Sequence, residues 1–183
     1  MTDNVFTHRI AKETDIPAIR DLMDASITTN MRAFLSEAEV QAAREAMGVD
    51  KSLIADGTYF IIETRVDDQP VMVACGGWGK RKTLYGGDQT EGRDDSLSDP
   101  AVDAARIRAM YTHPDWTRKG LGTLLLDLGE NAAREAGFKT IELGSTVPGL
   151  PLYEARGYTA FYKDEQRGSN GEIKTIIHMR KSL

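Results

Sequence analysis

Two hydrophobic periods divide the chain. Residues 5–10 alternate weakly between apolar and polar positions and predict a first strand. Ile16, Ile19, Met23 and Ile27 then recur at helical spacing, with Thr14 read as the N-cap and Asp15 and Pro17 in the first turn. Residues 30–35 read as a loop. Ser36-Glu37-Ala38-Glu39 is a capping-box sequence opening a second helix, with Val40, Ala43 and Met47 inward and Gly48 at its end. Residues 58–64 and 70–75 are rich in β-formers, and Val66-Asp67-Asp68-Gln69 between them predicts a hairpin. Gly76-Gly77-Trp78-Gly79 is expected to bulge or bend the second of these strands away.

The chain is organised around the stretch from Ala105 to Gly137. Its first third alternates and reads as a strand that Pro114 ends near His113. From Gly120 the period becomes helical: Leu121, Leu124, Leu125, Leu128, Ala132 and Ala136 define one face, and Gly137 stands where a C-terminal glycine cap belongs. A helix of this length makes a crossover, so residues 140–145 predict a strand parallel to the one ending at His113. Residues 148–156 then read as a turn and short helix closed by Gly157, and residues 158–162 and 173–179 as two antiparallel strands. The pattern predicts one α/β domain over residues 1–183, with a mixed, mostly antiparallel sheet and helices on both faces. Residues 80–104 interrupt it as an inserted loop, acidic and glycine-containing with few apolar anchors, long enough to be functional. It is placed to cover a site or to contact a second subunit of a homodimer.

Composition narrows the class. At 183 residues, 40% hydrophobic and 28% charged, the chain suits a soluble domain with a proper core. The single Cys75 lies in an apolar run and cannot form an internal disulfide, which fits a small buried hydrophobe in a reducing compartment. With no apolar run near ~18 residues and no leader pattern in MTDNVFTHRI, a cytoplasmic protein without membrane association is expected. A formal charge of −5 argues against nucleic-acid binding and is compatible with a cationic substrate.

The strand-to-helix junction Thr117-Arg118-Lys119-Gly120-Leu121-Gly122-Thr123 carries the candidate chemistry. A helix N-terminus offers unpaired amides and the positive end of a dipole; two glycines let an anion approach, and Arg118 and Lys119 add charge. A tight connection using glycine for its dihedrals explains the same residues structurally. Neither G-x-x-x-x-G-K-[ST] nor G-x-G-x-x-G is present.

With the His113-Pro114 break and the long helix, this junction resembles the acetyl-CoA signature of the GNAT (GCN5-related N-acetyltransferase) superfamily, with Thr117 where Gln or Arg is commoner. Pro151-Leu152-Tyr153-Glu154-Ala155-Arg156-Gly157-Tyr158 is similar to a second segment of that family, in the right order and spacing. The resemblance implies a sheet of about seven strands splayed between two parallel central strands. It also implies acetyl-CoA as acyl donor and direct transfer of acetyl to an amine, on a small molecule in preference to a protein. Backbone groups at Met110, Tyr111 and Thr112 would meet pantetheine, one N–H near Met110 facing the thioester oxygen. Amides from Arg118, Lys119, Gly120, Leu121, Gly122 and Thr123 would hold the pyrophosphate. Tyr153 would donate to the leaving sulfur. A non-catalytic acyl-CoA-binding domain of the same fold is the competing expectation.

The base is not identified by the sequence. Where some family members carry a glutamate early on the central strand, this chain has Arg106; Glu63, Glu142, His113 and water remain candidates. Arg106 and Arg108 alternate onto one face and weaken the idea of a polycationic acceptor. Trp78 is read either as an acceptor-site wall or as a core aromatic. No metal site is expected from His8, His113 and His178, and no G-x-S-x-G elbow surrounds Ser26, Ser52 or Ser145.

Overall fold

The computed structural model describes residues 5–183; the leader-free reading of residues 1–4 lies outside them. Strand β1 (Thr7–Ile10) pairs antiparallel with β2 (Tyr59–Val66), β2 with β3 (Gln69–Gly79), and β3 with β4 (Ala105–Thr112). β4 runs parallel to β5 (Thr140–Ser145), β5 pairs antiparallel with β7 (Ile173–Ser182), and β6 (Thr159–Arg167) completes the far edge against β7. The result is one mixed sheet of order β1-β2-β3-β4-β5-β7-β6, as expected, with its parallel pair inside. At the β2–β3 hairpin Asp67 and Asp68 both take positive φ (49° and 61°), the twist a two-residue hairpin needs.

Both faces of the sheet are buried, so its central strands read as apolar runs more than as alternations. Phe60 and Ile62 of β2 face a core built with α4 (Leu121–Glu135), while Tyr59 and Ile61 face a second core with α1 (Ile16–Asn30) and α2 (Glu37–Arg44). α2 starts as predicted: Ser36 Oγ accepts the Glu39 N–H at 3.2 Å and Glu39 Oε2 accepts the Ser36 N–H at 2.7 Å. The entry to α1 differs. Thr14 lies inside a 3-10 turn, and Asp15 takes the N-cap position of α1 without a side-chain bond to the helix; its carboxylate instead closes the turn, accepting the Lys12 N–H at 2.7 Å and the Arg9 guanidinium at 2.8 and 2.9 Å.

The expected buried face of α4 is corrected, and two expectations that the sequence left open are decided. In α4 the buried positions are Leu121, Leu125, Leu126, Gly129, Glu130 and Ala133, while Leu124, Leu128 and Ala132 are half-buried and Ala136 is exposed. Counting only leucines and alanines rotated the face, because Gly129 packs beneath Ile107 and Trp78, and Glu130 is buried through the Tyr158 hydroxyl (3.0 Å) and Lys181 Nζ (2.8 Å). Trp78 is a core residue, edge-on to Phe138 at 6.0 Å. β3 carries the expected bulge between Cys75 and Gly77 but continues through Gly79 along β4 without leaving the sheet.

A short helix, α3 (Lys51–Ala55), had no sequence expectation, being too short for a period to show; Asp50 caps it, Oδ1 accepting the Ser52 N–H at 2.9 Å. The last helix, α5 (Leu150–Ala155), precedes the positive-φ Gly157 (88°).

Residues 80–104 form a flap fastened by polar anchors. Arg81 makes a two-point contact with Asp56 (2.7 and 2.8 Å), Asp88 N–H donates to Val49 C=O (2.8 Å), and the Tyr85 hydroxyl donates to Asp164 Oδ2 (2.9 Å). The flap thus bridges the α2–α3 connection and β6.

Candidate active site

The parallel pairing of β4 and β5 lasts for Ala105–Ile141 and Arg106–Glu142 and then stops. Beyond it, Ala109 takes a positive φ of 51°, strained for a non-glycine residue, and the strands diverge. The Tyr59 hydroxyl, donating to the Ala109 carbonyl at 2.8 Å, holds this bulge. A cavity of about 100 Å³ occupies the gap. β4 lines it from Ile107 to Tyr111, β5 with Leu143 and Gly144, α5 with Tyr153, and the flap with Leu84, Tyr85 and Gly86.

The predicted residues distribute unevenly around it. His113 N–H bonds Val73 C=O at 2.9 Å and Tyr111 is registered with Cys75, so by strand alternation Tyr111 spends its backbone on β3 while Met110 and Thr112 present theirs to the gap. The Tyr111 side chain packs in the α1–α2 core. Thr112 C=O already accepts the Asn30 side-chain amide at 2.9 Å. The Met110 side chain and Tyr153 meet in the cavity, the hydroxyl 4.0 Å from Met110 Sδ. Burial pushes the Tyr153 hydroxyl up to about 12, because the phenolate would be poorly solvated there.

At the junction read as a candidate anion site, the helix start leaves amides without intrahelical partners. The first intrahelical bond of α4 is Leu124 N–H to Gly120 C=O (3.0 Å), so the amides of Leu121, Gly122 and Thr123 precede it without an intrahelical acceptor. Gly120, the N-cap, has φ of 80°, and a Cβ there would point into open space, leaving room for an anion. Arg118 also has positive φ (61°). The two glycines differ in purpose: a Cβ on Gly122 would lie 2.7 Å from Leu152 Cδ2, so this glycine lets α5 close on α4. That contact places Tyr153, the next residue, over the gap. Thr117 turns away, donating to Pro114 C=O at 3.3 Å, and Lys119 Nζ lies 5.8 Å from the Trp116 ring.

None of the candidate bases lines the cavity. Glu63 pairs with Arg9 (3.0 Å), Glu142 with Arg106 (2.7 Å) and Arg180 (2.8 Å), and His113 Nδ1 accepts the Asp115 N–H (3.2 Å). The charged residue that does line it is Arg108, 3% exposed. Its Nη2 donates to Asp50 Oδ2 (2.8 Å) and Gly86 C=O (2.7 Å), and Nη1 to Thr83 C=O (3.3 Å); Arg93 reaches the same Asp50 oxygen at 3.2 Å. Burial pulls the Arg108 guanidinium below its usual value and Asp50 opposes the shift. Arg106 and Arg108 both donate to carbonyls of the flap, at Lys82 and Thr83, and differ in their acids, Arg106 pairing with the partly buried Glu142 and Arg108 with Asp50.

Asp50, Tyr85 and Leu84 were not singled out by sequence reasoning. Asp50 carried one visible signal, an Asp two residues before Ser52 at a helix start; Leu84-Tyr85 was an apolar pair in an otherwise polar insertion. His178, behind Tyr85 at 6.2 Å between ring centres, is kept neutral by burial. Among the described residues no cluster of three metal-ligating side chains occurs, and no helix is long and apolar enough to cross a membrane.

No curated protein matches the sequence. Solved structures share the fold over nearly the whole chain. The GCN5-related N-acetyltransferase of Rhodopseudomonas palustris has a TM-score of 0.66 at 22% identity, covering 100% of this chain and 99% of that one. Salmonella typhimurium yncA, with its cofactor acetyl-CoA, has a TM-score of 0.62 at 18% identity, covering 98% and 95%. The paia N-acetyltransferase of Thermoplasma acidophilum, in complex with coenzyme A, has a TM-score of 0.61 at 12% identity, covering 98% and 99%. Residues 55–160, more than half of the chain, match the model of the acetyltransferase (GNAT) domain, and with the splayed β4–β5 pair and the glycine-capped α4 the chain belongs to the GNAT acetyltransferase family.

Proposed function

We propose that the protein is an acetyl-CoA-dependent N-acetyltransferase whose acceptor is the amine of a small molecule. The observation that carries this reading is that the unpaired amides at the α4 N-terminus are linked, through the close approach of Gly122 to Leu152, to Tyr153, whose hydroxyl lies in the β4–β5 opening. The residues present fit the donor. Amides from Arg118 to Thr123, with the Arg118 and Lys119 charges, would hold the pyrophosphate, and backbone groups of Met110 and Thr112 would pair with the pantetheine arm. Acetyl-CoA supplies an activated acetyl group that the amine nitrogen captures as the carbon–sulfur bond breaks.

The chain's own contribution is then electrostatic and positional. The Met110 N–H, beside the bulge, would donate to the thioester oxygen as negative charge grows on it. Tyr153 would donate to the departing sulfur. An alkylammonium of pKa about 10.4 must lose a proton before attack, and with no carboxylate or histidine lining the cavity among the described residues, water would carry that proton away. Flap residues Leu84 to Gly86 partly roof the acceptor end, and the β6–β7 connection docks on α2, Ser169 N–H donating to Glu45 at 2.8 Å. This closure favours a small acceptor over a protein chain.

Calorimetric titration with acetyl-CoA and a free-thiol release assay over an amine panel test the reading. Binding with turnover of small amines supports it; binding without turnover of any amine returns the protein to a non-catalytic acyl-CoA binder, and absence of binding rejects both.

A further inference from the structure

From the charge pattern of the cavity, and resting on the acetyltransferase reading above, we infer that the acceptor is a compact monoamine with no second positive charge: its far end is neutral or anionic. Arg108 is the charged group of the wall, and the rest is uncharged, apolar at Leu84, Ile107, Leu143 and Ile176 and polar at Tyr85, Thr146 and Tyr153. The nearest carboxylates are spent behind that wall. Asp50 is fully buried under Arg108 and Arg93 and also accepts from the Ser52 N–H and hydroxyl. Asp164 accepts from the Tyr85 hydroxyl and from Gln166 Nε2, both at 2.8–2.9 Å. Neither lines the cavity.

A second ammonium entering this space would be desolvated without a counterion and would face a guanidinium that Asp50 and two carbonyls hold in place. Arg108 cannot shed its charge, since arginine stays protonated, nor swing away while the flap is anchored. A neutral tail meets no charge it must desolvate against, and a carboxylate tail meets a cation. The cavity of about 100 Å³ would also have to admit the thioester end of the donor, so a bulky acceptor tail has little room beside Arg108. An adjoining cleft of about 400 Å³ does contain Asp24 and Asp88, but it lies beyond Met47 and Gly48, which are shared by both walls. A long polyamine is therefore the wrong probe and a short one the right one.

The test compares n-pentylamine with its isostere 1,4-diaminobutane, alongside 4-aminobutanoate and a lysine-containing peptide, in the thiol-release assay with acetyl-CoA binding measured separately. We expect kcat/KM for the diamine to be roughly 10²-fold below that for pentylamine, the scale of an unpaired buried charge, and the peptide to be lower still. Leu84→Glu, which places a carboxylate on the wall, should raise the diamine-to-monoamine ratio at least ~10-fold where Leu84→Gln leaves it in place. Equal or better use of the diamine by the wild type overturns the inference while leaving the acetyltransferase reading standing; equal or better use of the peptide overturns the inference and the small-molecule part of that reading, and acetyl-CoA binding with turnover of none of these amines overturns both and leaves an acyl-CoA binder. Failure to bind acetyl-CoA removes the reading beneath it.

Discussion

Replacing Tyr153 by Phe removes one hydroxyl and keeps the ring that packs edge-on to Tyr158 at 5.9 Å. Because that hydroxyl meets only Met110 Sδ, at 4.0 Å, the change breaks no strong hydrogen bond, and stability should stay within about 0.5 kcal/mol. The catalytic effect can be bounded from its pKa. At about 12 the tyrosine lies roughly 3.5 units above a thiol at about 8.5, so full proton transfer to the departing thiolate would be uphill by about 5 kcal/mol. On the proposed reading Tyr153 would therefore act by donating a hydrogen bond to developing charge, worth about 1.5–3 kcal/mol. The expected loss in the chemical step is about 10–150-fold, with acetyl-CoA affinity within a factor of about three. Single-turnover thiol release measured by rapid quench, beside calorimetric binding, separates the two terms and avoids masking by slow product release. The raised pKa adds a pH criterion: since the donor stays protonated, no fall in rate due to this group should occur up to about pH 11. Equal losses in binding and chemistry, or a wild-type alkaline limb near pH 10 that Tyr153→Phe abolishes, would refute this account.

Three more outcomes follow from particular contacts. Gly120→Val, with φ of 80° and open space before it, should weaken acetyl-CoA binding strongly while destabilising by about 1–2 kcal/mol, whereas Gly122→Val, driven into Leu152, should mainly lower thermal stability; titration and melting of both variants must show this contrast. Asp56, 9% exposed, has its pKa lowered chiefly by the Arg81 hydrogen bond, so its contribution is complete above an unfolded value of about 3.9 and is lost as pH falls through the lower folded value. The melting-temperature advantage of wild type over Asp56→Asn, about 2–6 °C at neutral pH, should therefore shrink below pH ~4; a constant gap would contradict the pairing. Cys75, fully buried beside the Tyr59 hydroxyl (3.2 Å) and pushed up to about 12 by burial, should resist thiol reagents at about pH 8 until denaturant is added, as timed labelling will show.

Much of the architecture was legible because it is local. The capping box at Ser36–Glu39, the Asp67-Asp68 hairpin and the switch of period at Gly120 each depend on residues within a few positions of one another. Apolar runs told strands from helices correctly for all seven strands of the sheet. Where the reading failed, a distant partner decided. Trp78 and Ile107 pack against α4 so that Gly129 faces inward.

The candidate site divides the same way. Amides at a helix N-terminus need only a chain that turns from strand to helix at glycine, so the Arg118–Thr123 segment was visible in the sequence, as was Tyr153 through its resemblance. The chemistry of the acceptor end was not. It arises where Asp50, Tyr85 and Arg108, 58 and 23 residues from the last of these, converge around a gap left when two parallel strands part after two paired residues. No periodicity encodes such a convergence, because burial of an ion pair and the roofing of a cavity by a polar flap are properties of three-dimensional packing. Sequence alone thus determined the fold class and the helix start with free amides through short-range backbone and capping rules, and only the tertiary structure decided which charges line the β4–β5 cavity.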